Sequence, residues 1–146
     1  MLVAVLNGPN LNLLGSREPA RYGRATLADV ESAVRRRAEA LGVTLSWSQT
    51  NHEGALVEAV QGLRGQADGA VVNAAAYTHT SLALRDAFAG VAVPFVEVHI
   101  TNIYAREPER RHSMLASAAV GVVCGLGVLG YELALRGLVA HLAGHD

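Results

Sequence analysis

Short apolar runs alternate with polar, turn-rich breaks along the whole chain. Leu2 to Leu6 is a continuous branched apolar run that stops at Asn7-Gly8-Pro9-Asn10, a cluster of turn formers. A strand buried on both faces of a parallel sheet has this signature. A polar loop then carries Asn10, Asn12, Arg17, Glu18, Arg21 and Tyr22. Thr26 to Asp29 forms a capping-box pattern, predicting a helix with Leu27, Val30, Val34, Ala38 and Leu41 on its inner face and Gly42 at its close. Val43 to Ser48 alternates with period two, as a half-exposed edge strand does. Asn51 is placed to cap a second helix carrying Leu56, Val60 and Leu63, and Ala70 to Asn73 predicts a third strand. Hydroxyls between Thr78 and Ser81 precede a helix through Leu82, Leu84 and Phe88. Val93 to His99 predicts a fourth strand, with Pro94 tolerated at its start. After an arginine-rich segment from Thr101 to Ser113, Val120 to Cys124 supplies a fifth strand, and a last helix is built on Leu129, Leu133 and Leu138.

Regular strand–helix alternation predicts an α/β fold: a three-layer sandwich on a five-stranded parallel sheet, in the flavodoxin-like order, as one domain over residues 1–146. Open sheets of this kind place ligands beyond the carboxyl ends of their strands. There the chain brings Asn7 and Asn10, then Asn73, then His99 with Thr101 and Asn102. Glu97 and His99, two apart on one strand, face the same way. A carboxylate beside an imidazole fixes its tautomer and raises its pKa, which suits a general acid; a self-satisfied structural pair is the alternative.

Charge and composition narrow the chemistry. A net charge of −1 provides no basic stripe for nucleic acid. Every one of the 12 basic residues is arginine, which excludes a Schiff-base lysine, a pyridoxal-phosphate lysine and a phosphate-loop lysine. The lone Cys124 sits among apolar neighbours, as a buried, inert thiol does. No apolar run approaches the ~20 residues of a membrane span, and no basic-then-apolar leader precedes the first strand, so the expected location is cytoplasmic. Gly125-Leu126-Gly127-Val128-Leu129-Gly130 fits a dinucleotide fingerprint. Only about sixteen residues follow Gly130 within residues 1–146, too few for the strand that would carry a ribose-binding acid, so close helix–strand packing accounts for the glycines more simply.

Six ordered motifs carry a resemblance: NGPNLNLLG at 7–15, REPxxYG at 17–23, THTSxALRDA at 78–87, EVHxxN at 97–102, RExxRxHS at 106–113 and GLGxxGY at 125–131. Together they make the chain similar to the type II 3-dehydroquinate dehydratases. The resemblance implies a flavodoxin-like fold, trimers assembling into a dodecamer, and anti elimination of water from 3-dehydroquinate through an enolate to 3-dehydroshikimate, with no metal and no cofactor. By the same resemblance Tyr22 is the base. As a phenol ordinarily titrates near 10, a base at neutral pH needs roughly 4 kcal/mol of stabilisation. Arg17 is the matching cation and Arg106 a second one. His99, oriented by Glu97, would protonate the leaving hydroxyl, and Asn10 would hold a water or the enolate oxygen. Asn73 and the backbone amides of Ile100 and Thr101 would grip the carboxylate; His79 and Arg110 would hold ring hydroxyls; Asp86 would reach a neighbouring subunit's site.

Two departures from the family pattern stand out: Thr101 replaces the usual serine, and Pro108-Glu109 replaces an acidic–Phe pair beside Arg110. Gly15 and Gly23 bracket the Arg17–Tyr22 loop, as hinges of a lid would. Two other classes of function compete with the dehydratase: a flavodoxin-like module binding a phosphate or flavin, and an inactive scaffold that keeps only the oligomer. The first lacks a Gly/Ser/Thr-rich loop after strand one, and the intact Arg17, Tyr22 and His99 speak against the second.

Overall fold

The computed structural model describes residues 1–145. Five strands, β1 (Leu2–Asn7), β2 (Thr44–Gln49), β3 (Gly69–Asn73), β4 (Phe95–His99) and β5 (Gly121–Cys124), pair in the order β2-β1-β3-β4-β5. All four pairings are parallel. Parallel neighbours need crossovers, which the helices supply: α1 (Pro19–Tyr22), α2 (Leu27–Ala40), α3 (Glu53–Gln61), α4 (Leu82–Val91) and α5 (Leu129–Leu142). The order is the flavodoxin-like one, and β2, with its alternating exposed and half-buried residues, lies at the edge as its period-two pattern predicts.

Strand alternation sorts the core into two layers. Val3, Val5, Val71, Val96 and Val98 face α2 and α5, where Val30, Val34, Tyr131, Leu135 and Leu138 meet them. Ala4, Leu6, Ala70, Val72 and Phe95 face α3 and α4, against Leu56, Val60, Leu84 and Phe88. Each fully buried Val, Leu or Phe of these layers stabilises the fold by about 1.5–3 kcal/mol relative to exposure.

The capping box of α2 is present in both directions, Thr26 accepting from the Asp29 amide at 3.2 Å and Asp29 accepting from the Thr26 amide at 2.9 Å. Ser81 caps α4 by accepting from the Leu84 amide at 2.9 Å. Three local expectations are corrected. The residue preceding α3 is His52, and the Asn51 side chain instead accepts from the Asn10 amide at 3.0 Å. Strand β4 begins at Phe95, beyond Pro94. In α5 the inner face is Tyr131, Ala134, Leu135 and Leu138, whereas Leu129 is 53% exposed. The helix meets the sheet at Gly130, where an added Cβ would lie 3.3 Å from Val98. Gly130 shares this buried face with Tyr131, Ala134, Leu135 and Leu138, and Leu129 lies off it.

At the carboxyl edge, β1 and β3 run side by side to Asn7 and Asn73, and the Gly8 amide donates to the Asn73 carbonyl at 2.8 Å. A Cβ on Gly8 would sit 2.4 Å from the Ala74 carbonyl oxygen, a backbone group that cannot swing aside. Gly8→Ala is therefore expected to destabilise the protein by about 1–3 kcal/mol. Denaturant unfolding checks this, and an unchanged midpoint would contradict the close approach.

Candidate active site

The polar groups past the strand ends line one cavity. Asn10 and Arg17 come from the segment after β1, Tyr22 from α1, Asn73 from β3, His79 from the turn before α4, His99 from the end of β4, and Ile100, Thr101, Arg106 and Arg110 from the segment after it. Ten of the sequence-predicted residues thus meet in one place. Glu97 lies behind His99, fully buried. Asp86 is apart from them, on α4, beside Arg64 in a separate surface depression.

Tyr22 is held by cations. Arg106 Nη1 donates to the Tyr22 hydroxyl oxygen at 2.9 Å, while the Arg17 guanidinium lies 5.6 Å from the Tyr22 ring centre. Arg106, named second on sequence grounds, makes the hydrogen bond and lies 5.8 Å from the ring centre; each arginine also has a carboxylate 3.8 Å away, Glu18 beside Arg17 and Glu107 beside Arg106. Arginine has no acceptor, so the phenol oxygen must receive this bond. Arg106 Nε is buried with no hydrogen-bond partner among the described residues. Arg110 donates to Glu107, whose carboxyl is held below its ordinary range, first by its own backbone amide and then by Arg110. Pro108 opens the 3-10 turn that carries Arg110 to the cavity.

His99 is oriented from behind. Its Nε2 lies 2.7 Å from Glu97 Oε1, which also accepts from Thr78 Oγ1 at 2.7 Å and from Ser113 Oγ at 2.7 Å. Burial pushes the Glu97 carboxyl up, but the hydrogen bond and charge of His99, with the Thr78 and Ser113 hydroxyls, outweigh it and hold Glu97 below the usual carboxylate range. An ionised Glu97 can only accept, so His99 Nε2 carries a proton and Nδ1 is the nitrogen left for chemistry. His79 Nδ1 donates to the His112 carbonyl at 2.7 Å, leaving Nε2 as its acceptor nitrogen. Desolvation lowers the His79 pKa, helped by the nearby His99 and Arg110 charges, so it is neutral at pH 7. Asn73 accepts from the Ala75 amide at 3.1 Å and donates to the Tyr131 hydroxyl at 2.8 Å.

Sequence reasoning missed Thr78 and Ser113 as partners of Glu97, and Tyr131 as the partner of Asn73. The signal available for the first two was the buried carboxylate itself, which must find donors. Among the described residues, no group of three or more His, Cys, Asp or Glu is arranged to hold a metal ion, and no helix is long and apolar enough to cross a membrane.

Comparison with known proteins gives a consistent set of relatives. The family model described as Dehydroquinase class II matches residues 1–139. A 3-dehydroquinate dehydratase of Gemmatimonas aurantiaca is 65% identical over 142 residues, covering 97% of this chain and 93% of the relative. A catabolic 3-dehydroquinase 1 of Aspergillus terreus is 56% identical over 134 residues, covering 92% of this chain and 88% of the relative. The crystal structure of type II dehydroquinase from Propionibacterium acnes superposes with a TM-score of 0.91 at 38% identity, over 95% of this chain and 96% of that one.

The Glu97 environment has a pH consequence. Its folded carboxyl titrates below the ordinary value of 4.5. It therefore adds stability that is fully present above that value and is lost as pH falls through the lower folded one. Denaturant unfolding of wild type and Glu97→Gln checks this: the stability gap is expected to be flat above about pH 5 and to shrink below about pH 4.5. A gap independent of pH would contradict the ionised, hydrogen-bonded carboxylate.

Proposed function

The chain belongs to the Dehydroquinase class II family, and from that premise we propose that it dehydrates 3-dehydroquinate to 3-dehydroshikimate, by anti elimination through an enolate and without metal or cofactor. The observation that carries the reading is one cavity holding both an arginine-bonded phenol, Tyr22–Arg106 at 2.9 Å, and a carboxylate-backed imidazole, Glu97–His99 at 2.7 Å. Elimination of water beside a ketone needs these two parts, a base for the α-proton and an acid for the departing hydroxyl.

In this reading the Tyr22 oxygen takes the proton alpha to the ketone, and the electron pair moves into the carbonyl to give the enolate. Negative charge on that base is met by the Arg106 N–H, with Arg17 close to the ring. Asn10 holds the enolate oxygen, directly or through a water. As the enolate collapses, the carbon–oxygen bond of the hydroxyl breaks and His99 supplies the proton that makes it water. That delivery requires an imidazolium, and Glu97 provides the opposite charge 2.7 Å away. Asn73 and the Ile100 and Thr101 amides hold the substrate carboxylate, while His79 Nε2 and Arg110 orient ring hydroxyls. The segment between Gly15 and Gly23 closes over the bound ring and excludes water. Residues 1–146 act as one domain, in trimers that assemble into a dodecamer in the cytoplasm, with Asp86 turned to a neighbour's site. The product feeds the shikimate pathway.

An ultraviolet assay for the conjugated enone on adding 3-dehydroquinate tests this. Wild type is expected to turn over, with or without borohydride, because no lysine can form an imine. Tyr22→Phe is expected to lose about 10²–10⁴ in kcat. Full activity in that variant would overturn the assignment of the base, and a folded wild type without turnover would overturn the function.

A further inference from the structure

Behind the cavity, on the α2/α5 face of the sheet, four hydrogen bonds join in one line. Asn7 Nδ2 donates to the Ser48 carbonyl at 3.0 Å, and Tyr131 Oη donates to Asn7 Oδ1 at 2.8 Å. Asn73 Nδ2 donates to Tyr131 Oη at 2.8 Å, and the Ala75 amide donates to Asn73 Oδ1 at 3.1 Å. Asn7, Asn73 and Tyr131 are all buried.

The sense of this line is fixed at both ends. A backbone carbonyl only accepts, so Asn7 must turn its Nδ2 to Ser48 and its Oδ1 inward. That oxygen takes the single proton of Tyr131, whose own oxygen is left able only to accept, and so calls for Asn73 Nδ2. At the far end the Ala75 N–H only donates, which demands Asn73 Oδ1. Reversing the Asn73 amide would face a donor to the Ala75 donor and strand the Tyr131 oxygen. Burial pushes the Tyr131 phenol pKa well up, so the hydroxyl keeps its proton throughout the ordinary pH range. One N–H of Asn73 is used by Tyr131, and the second remains for the cavity that Asn73 lines.

We propose that Tyr131 is a positioning residue that, together with the Ala75 amide on the other side, holds the sense of the Asn73 amide, so that the site offers the substrate carboxylate an N–H and not a carbonyl oxygen. This rests on the reading of the cavity as a dehydroquinate site with Asn73 on the carboxylate. The amide of an asparagine is nearly symmetric in shape, so packing alone would leave both orientations open. The relay makes the choice chemically.

The test uses Tyr131→Phe, which removes the hydroxyl and keeps the ring against Trp47, and Asn7→Leu, which removes the acceptor but leaves Tyr131 and Asn73 in place. In both, KM for 3-dehydroquinate is expected to rise about tenfold, the value of one hydrogen bond to a charged group, with kcat within about threefold. Quinate and its methyl ester serve as competitive probes. The preference of wild type for the acid over the ester is expected to fall by a similar factor in each variant, a change that general loosening would not produce. In wild type itself, nuclear magnetic resonance of the Asn73 side-chain amide is expected to show one exchange-protected proton and one that shifts on adding quinate; this reading stands even if a variant fails to fold. Two equivalent protons, or variants with wild-type KM and acid preference, would overturn the relay. A wild type that neither turns over dehydroquinate nor binds quinate would overturn the underlying reading of the site instead.

Discussion

The loops around the cavity depend on one buried charge. Glu97 sits in the middle of the sheet with no exposed surface, where an uncompensated carboxylate would cost several kcal/mol. Three donors answer it, and each comes from a different segment: Thr78 from the turn after β3, His99 from the end of β4, and Ser113 from the stretch beyond it. Ser113 in turn accepts from the Leu115 and Ala116 amides, and the Met114 amide donates to the Thr78 carbonyl. The charge therefore ties down the arginine-rich segment while it fixes the tautomer of His99. The same contacts hold the segment and orient the imidazole.

Much of this was legible beforehand, for physical reasons. Hydrophobic periodicity located all five strands, and the edge position of β2 followed from its alternation. The convergence of Asn10, Asn73, His99 and Thr101 followed from parallel strands ending on one edge. Other features carried no such signal. Helix α1 has four residues, too few for any period, and it is entered through Glu18 in the left-handed region at φ 41°. Helix α5 is apolar on several sides, so composition could not choose between the Leu129 and Tyr131 faces; the face buried in the fold is Gly130, Tyr131, Ala134, Leu135 and Leu138. Thr78 and Ser113 lie 19 and 16 positions from Glu97, and spacing cannot reveal pairs that only the folded sheet brings together.

The two arginines near Tyr22 illustrate the same limit. Arg17 is five residues from Tyr22 in the motif, so sequence proximity favours it. Arg106 is 84 positions away and makes the hydrogen bond. Each has a glutamate 3.8 Å away, Glu18 for Arg17 and Glu107 for Arg106, but the Arg17 side chain is 40% exposed and that of Arg106 only 11%. A charge removed from water acts more strongly on its neighbour than one that solvent screens. Geometry and screening thus both rank Arg106 as the stronger partner of the phenol oxygen, although the two guanidiniums lie 5.6 and 5.8 Å from the ring centre.

The sheet also separates two kinds of polar machinery. Alternation places Asn7 and Asn73 on the α2/α5 face, where the relay through Tyr131 is neutral throughout. It places Glu97 and His99 on the α3/α4 face, where the network is charged. Neutral amides held in one sense are suited to receiving an anion, because they supply donors without titrating. A carboxylate–imidazole pair is suited to moving a proton, because its charge can change. Because side chains alternate between the two faces of the sheet, the neutral relay and the charged pair stand on opposite sides of strands that end at the same cavity.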